Sequence, residues 1–416
     1  MTITINNKNK KPNVPNSTDK GNVIRNVPHL RFPEFEGEWE KCKLGDKCDL
    51  LCGYAFDGKN IVEQGTYLLM RGINITEGII RHSSELDRYY TGSVNNLAKY
   101  KLTTGDLVIG MDGSKVGRNS AIVSLTENGS YLVQRVCRIK SCIGNDFILQ
   151  LVNNHKFHKY VDMVKTSSAI PHISLKDIQN FPIAVPSIQK EADKISRLFH
   201  LLDERIATQN KIIDKLQTLI RGISNKLLNT DYGKKTRLGD ILNECSERTK
   251  VNNQYEVLSS TVNGLFSQRE YFTKDIASEN NIGYKILRLH DVVLSPQNLW
   301  MGNINYNDKF EIGIVSPSYK IFSIVDGYDK KYVSALLKTH RALYNYSLVS
   351  EQGASVVRRN LNSEAFEQLT FIIPPIANQR AIGYTISLLR YRLEIENMLK
   401  VTYLSQKQYL LRQMFI

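Results

Sequence analysis

One short loop concentrates the residue types that do chemistry: Gly110-Met111-Asp112-Gly113-Ser114-Lys115-Val116-Gly117-Arg118-Asn119. Its glycines let a backbone come close to a ligand, and Lys115 and Arg118 supply positive charge. A nucleotide-phosphate cradle would need G-x-x-x-x-G-K-[ST] opening a helix. Here Lys115 follows Gly113 by two positions and no helical pattern comes next, so that site is excluded. Asp106, Asp112 and Lys115 also lie close together. Spacing alone leaves a nuclease-like set open, although turn formation and anion contacts account for the three without a reaction. None of the eight histidines forms an H-x-x-x-H or H-E-x-x-H pair. His155 and His158 share one face of an expected helix, and nothing nearby completes a metal site. Cys42, Cys48 and Cys52 match no common zinc spacing, so the six cysteines read as structural thiols of a reducing compartment. No cofactor is expected.

The totals point to binding. The chain has 416 residues, enough for two ordinary domains with connectors, and its 42% apolar content is that of a folded protein. A formal net charge of +14 favours a polyanionic partner, of which nucleic acid is the commonest. No run of 18 apolar residues is present, so no membrane span is expected. The polar, Asn- and Lys-rich N-terminus has no apolar core of a secretory signal, and a cytoplasmic location is expected. Residues 1–37 read as a flexible basic leader, with Leu30, Phe32, Phe35 and Trp39 able to dock on the first globular block.

Two long helices must position everything else. Phe199, Leu202, Ile206, Gln209, Ile213, Leu216, Ile220, Ile223 and Leu227 are spaced alternately by three and four. That is a heptad seam with one polar break, on a helix of about 40 residues and about 60 Å. A second seam runs through Ile382, Ile386, Leu389, Leu393, Glu396, Tyr403, Leu410 and Met414. Shifted by 187 residues the seams coincide, and Gln209 falls on Glu396. An antiparallel pairing would bring these two polar groups together, fixing register at some cost in stability. Leu201, Leu219, Leu388, Leu399 and Leu411 lie off the seams and need cover from the rest of the chain or from a partner.

The stretches between the helices repeat one another. RLGD (237–240) echoes KLGD (43–46), ILRLHDVVLSPQNLWMG (286–302) echoes KLTTGDLVIGMDGSKVG (101–117), and the helical 330–348 echoes 146–164. The fold class is therefore α/β: two similar mixed α/β heads joined by two long helices forming an antiparallel coiled coil, a pseudo-twofold internal repeat. The divisions are a leader 1–37, a first head 38–185, a first helix 186–230, a second head 231–373 and a second helix 374–416. The second head has His290-Asp291 where the first has Gly105-Asp106. It has only Met301-Gly302 where the first closes a glycine loop, which argues against a matching loop there.

The order of these features resembles the specificity subunits (HsdS) of type I restriction–modification systems, over essentially residues 38–416. The lead-ins ISLKDIQNFPIAVPSIQKEADKI and NLNSEAFEQLTFIIPPIANQRAI complete the resemblance. It implies that the heads are target recognition domains and the helices a spacer. The partners implied are double-stranded DNA, two adenine-N6 methylation subunits and, in the full complex, two ATP-dependent restriction subunits. The implied role is non-catalytic reading of a bipartite, non-palindromic site. The competing readings are a DNA-modifying enzyme, fused or stand-alone, and a coiled-coil scaffold. For a methyltransferase, Ser316-Pro317-Ser318-Tyr319 matches the Asn/Asp-Pro-Pro-aromatic turn only loosely, and no glycine-rich cofactor loop follows a strand.

Base readout needs polar tips on a backbone that phosphate contacts hold in place. In the first head the candidates are Arg71, Asn74, Ser114, Lys115, Arg118, Lys165, Ser167 and His172. In the second they are Gln297, Asn298, Trp300, Asn303, Gln352, Ser355, Arg358 and Arg359. For helix pairing they are Leu202, Ile206, Gln209, Ile213, Leu389, Leu393, Glu396 and Tyr403.

Overall fold

The computed structural model describes residues 4–5, 26–271, 280–352 and 358–416. The expected leader, apart from residues 4–5 and 26–37, and Ser355 lie outside the described residues. The chain forms two compact units, one of residues up to 208 together with 400–416, the other of residues 209–399. No described helix is long and apolar enough to cross a membrane.

In the first unit an antiparallel sheet runs in the order Cys48–Cys52, Val136–Ser141, Leu107–Gly110, Ser120–Ile122. A second four-stranded sheet sets Tyr131–Leu132 parallel to Tyr67–Met70. The sequence run YLVQRVCRIK therefore serves both sheets. It is broken at Arg135, whose φ of 69° redirects the strand. Residues 146–164, expected as one helix, form two: Asn145–Val152 and His155–Val164. Asn154 caps the second by accepting from the Lys156 N–H at 3.1 Å. Its amide also donates to the carbonyl of Leu411 at 3.0 Å.

Residues 26–37 are tied down. Leu30 and Phe32 are buried, and Arg31 makes two 2.7 Å hydrogen bonds to Glu191, a fully buried carboxylate in the first turn of the first long helix. Trp39 donates to the same carboxylate at 3.2 Å. A charge taken out of water needs such partners, and the helix N-terminus favours an anion there.

The second unit builds the same sheet from its own residues, in the order Leu242–Cys245, Lys320–Ile324, Val292–Leu294, Ile304–Tyr306. Each head is closed by a further antiparallel pair. This is Glu40–Lys43 with Pro182–Val185 in the first, and Lys234–Arg237 with Thr370–Ile373 in the second. The KLGD and RLGD turns have one physical explanation. Leu44 and Leu238 are fully buried, and their N–H groups donate to Phe181 and Leu369. Asp46 and Asp240 accept the N–H of the residue that opens the turn. A Cβ on Gly45 or Gly239 would come within 3.1 Å of Gln179 or Glu367, on the short helix packed above. The helical 330–348 also divides, into Lys330–Leu336 and His340–Leu348, with Thr339 as the second cap.

The long helices run Gln189–Leu228 and Ile376–Met414. Within the first unit they pair antiparallel. Arg205 meets Tyr403 at 2.9 Å, Asp203 meets Lys407 at 2.6 Å, and Phe199 packs on Phe415 with ring centroids 5.8 Å apart. Phe415 also packs on Trp39 and Phe147, so the end of the chain completes the first head's core. Within the second unit Gln209 donates to the Glu396 backbone oxygen at 2.9 Å and to its carboxylate, both residues being buried. That hydrogen bond, helped by Arg392, holds the Glu396 carboxyl below its usual range. Ile213 is buried, while Leu202, Ile206, Leu389, Leu393 and Tyr403 are half-buried, as a two-helix seam open at its sides dictates. Of the off-seam leucines only Leu411 is buried, against the first head; Leu201, Leu219, Leu388 and Leu399 stay exposed.

Candidate nucleic-acid interface

In the first head three segments converge on the glycine loop. The Gly113 N–H donates to Pro171 O at 3.0 Å and Asp112 bridges to His172, which brings the 165–173 segment alongside. The Gly78 N–H donates to Ser120 O at 2.8 Å, which brings the turn after Arg71 to the other side. Gly117, with φ of 70°, lies against Val161, and an added Cβ would stand 2.8 Å from that side chain.

Ser114 and Lys115 are exposed at the tip, and Lys115 pairs with Glu77 at 3.0 Å. Arg118 and Lys165 both bind Asp162, at 2.6 and 2.7 Å, and together they hold that carboxyl below its usual range. Exposed pairs of this kind contribute little to stability and exchange readily for a stronger anion. His172 meets Thr166 at 3.0 Å, and Ser167 is exposed beside it. Arg71 is half-buried and donates to Leu86 O at 3.4 Å.

Asn74 does not belong with the exposed set. It is 1% exposed, and its amide bonds Arg81 O and Asp87, so it builds the turn. The anchor of that turn is a residue that sequence reasoning missed. His82 bonds Asp87 at 3.0 Å and Glu127 at 2.9 Å. Burial opposes its charge, but the hydrogen bonds to Glu127 and Asp87 prevail and raise its pKa. A lone histidine in a polar stretch carries no pattern that would have found this.

The second head repeats the geometry with other side chains. Asp291 accepts the Arg288 N–H at 2.8 Å, as Asp106 accepts that of Thr103 at 2.8 Å. His290 takes the place of Gly105 in the same left-handed turn, with φ of 76° against 91°. Its ring stacks on Tyr306, and Nδ1 lies 2.6 Å from the tyrosine hydroxyl. Gly302, with φ of 92°, stands where Gly117 does and lies against Leu343. The expectation of a different loop is thus corrected: the backbone turn recurs although its glycine does not, because local ring contacts support His290.

On this loop Gln297 is exposed, Asn298 and Trp300 are half-buried, and the Arg359 guanidinium lies 4.2 Å over the Trp300 ring. The Arg359 N–H donates to Gln297 O at 3.1 Å, which ties the 359–361 strand to the loop. Gln352 pairs in register with Arg359, and both Gln352 and Arg358 are exposed. Asn303 is buried and bonded to Ser260, so it serves the interior. Ser316–Tyr319 forms the turn between strands Ile312–Val315 and Lys320–Ile324, with the Tyr319 hydroxyl held on Ser260 O at 3.1 Å. Among the described residues no group of three His, Cys, Asp or Glu side chains is placed to hold a metal.

Residues 36–226 match the family described as type I restriction modification DNA specificity domain. The chain is 29% identical over 186 residues to the EcoAI specificity subunit of Escherichia coli. That match covers 43% of this chain and 30% of the relative's length. The family match thus spans the first head and most of the first long helix.

Two solved structures share the fold across both heads. The S subunit of a type I restriction–modification system from M. genitalium has a TM-score of 0.59 at 14% identity, covering 94% of this chain and 99% of that one. A structure from work on complex assembly and conformational transition of the type I R-M system has a TM-score of 0.50 at 12% identity, covering 90% and 96%. The frame common to the two heads here is the sheet, the LGD turn and the Asp106 or Asp291 turn. The exposed loop residues are what differ.

Proposed function

We propose that this chain is the non-catalytic subunit that reads a bipartite, non-palindromic duplex DNA site for a type I restriction–modification enzyme. One observation carries the reading: the chain contains the same recognition fold twice, with equivalent loops bearing different polar side chains. Lys115, Arg118, Lys165, Ser167 and His172 would face one half-site, and Gln297, Trp300, Gln352, Arg358 and Arg359 the other. Lysines and arginines of these sets would hold phosphates, and the amides and Arg359 would address base edges in the major groove. Two methylation subunits would place adenine-N6 chemistry at the site, and two ATP-dependent restriction subunits would join them. The cytoplasm, where chromosomal DNA and reduced thiols are found, is the matching compartment.

The deciding experiment is genome-wide detection of N6-methyladenine in cells with and without this chain, with partner subunits present. A split motif should vanish when the chain is removed, and exchange of residues 38–185 for those of another subunit should alter one half of the motif only. Unchanged adenine methylation on removal would overturn the reading.

A further inference from the structure

The second unit holds a cavity of about 380 Å³ that the DNA-facing loops leave unused. Its walls are the strands Gly264–Ser267 and Ile304–Tyr306, the end of the Lys330–Leu336 helix, and the second long helix. Its charged lining is Lys309, Lys338 and Arg390 against Asp308 and Glu394. Lys309 and Glu394 pair with each other at 3.0 Å. Lys338 donates to the Gly302 carbonyl at 2.8 Å and has no ion pair among the described residues. Arg390 is half-buried, and neither hydrogen bond nor ion pair joins it to a described residue; only Asp308 offsets part of its charge. Burial, and then Arg390, lower the Lys338 ammonium to about 8. Three cations and two carboxylates thus line the cavity, which leaves it one positive charge in excess.

We propose that this cavity binds a phosphate group between Arg390 and Lys338. A planar guanidinium offers paired donors to phosphate oxygens, and a nearby ammonium adds a second charge-assisted contact. The volume falls in the range of about 300–1,000 Å³ typical of small-molecule sites, so it leaves room for more than a bare phosphate. Leu265 and Phe266 supply an apolar wall on which an attached sugar or base can lie. Through Lys338 the site is bonded to Gly302, in the loop that carries Trp300. The phosphate has two sources, a free nucleotide or the DNA backbone; the second of these rests on the proposed function.

The full-length chain would be titrated with inorganic phosphate and with adenosine monophosphate by calorimetry, then with duplex DNA at several salt concentrations. Wild type is compared with Arg390→Gln and Lys338→Met. Saturable binding that weakens at least about tenfold in both variants supports a free-nucleotide site, as loss of a charged hydrogen bond requires. If neither small anion binds, but both variants bind every duplex more weakly with the salt slope reduced by about 1, the backbone is the source. If the small anions do not bind and the variants leave DNA binding unaltered, the proposal is overturned. Lys338→Met carries the test should Arg390→Gln fail to fold. Failure of the DNA-reading proposal would show separately, as a wild-type chain that binds phosphate but selects no DNA sequence.

Discussion

The two heads share a frame and differ at its rim. Each builds the same sheet order, the same buried leucine and glycine in its LGD turn, and the same aspartate-capped left-handed turn. At the rim, the first head sets two cations on Asp162 and one on Glu77, whereas the second lays Arg359 on the Trp300 ring. The helix entries differ in the same manner. Glu191 is a buried anion held by Arg31, while Gln379, buried in the first turn of the second long helix, is a neutral amide bonded to Pro374 O and the Asp329 N–H. Positions that fill space or close a turn vary only where a compensating contact holds the fold, as Tyr306 does for His290. Positions that face solvent are free to take on different ligands.

The helix entry offers the sharpest contrast. Glu191→Ala leaves the Arg31 guanidinium only the Glu36 and Gly37 carbonyls and should destabilise the first head by about 3–5 kcal/mol, the usual cost of breaking a buried pair. Gln379→Ala removes only neutral hydrogen bonds and should cost about 1–3 kcal/mol. Urea unfolding of both variants measures the difference, and equal losses would show that the charge contributes nothing extra.

At the rim, Arg359→Ala should weaken binding by about 1–3 kcal/mol on the cognate site alone if it reads a base. Lys115→Ala should weaken binding to all duplexes and lower the salt slope by about 1. Binding assays on cognate and scrambled DNA at several salt concentrations separate the two. Identical behaviour of the variants would erase the distinction between a reading cation and a positioning one.

The left-handed turns test whether the frame is equivalent. Gly105→Ala forces a Cβ into a conformation that costs about 1–2 kcal/mol. His290→Gly relieves that strain but loses the Tyr306 contacts and adds backbone entropy, so its net change should stay under about 1 kcal/mol. Thermal melts of the two variants would place the turns in order; a large loss for His290→Gly would mean that the ring contact, not the turn, holds the second loop.

The smallest effect belongs to His82. Its folded pKa is raised, so its contribution is fully present below the unfolded value of about 6.5 and fades as pH rises through the folded one. Stability of the wild type should therefore decline more than that of His82→Gln between about pH 6 and pH 9. Parallel pH profiles would remove the histidine from the account of the 71–88 turn.

Much of the frame was legible because it rests on periodicity and repetition. The seam spacing marked both long helices, and KLGD and RLGD marked equivalent turns. Local rules failed where one run serves two structures. YLVQRVCRIK reads as one strand, yet Arg135 turns it from one sheet into the other. Residues 146–164 read as one helix, yet capping by Asn154 divides them. Asn74 and Asn303 stand among the exposed candidates when polarity is read as exposure. In the structure both amides satisfy buried backbone and side-chain groups.

The doubled plan, the positive charge and the two heptad seams are all written in residue type and spacing, so the amino-acid order alone carries them. Three features arise only on folding: Phe415 completes the first head's core, Glu191 is neutralised by a segment preceding the head, and Arg390 and Lys338 share a cavity. These partners are separated by about 50 to several hundred residues, and no local propensity encodes a contact that exists only once the chain has folded back on itself.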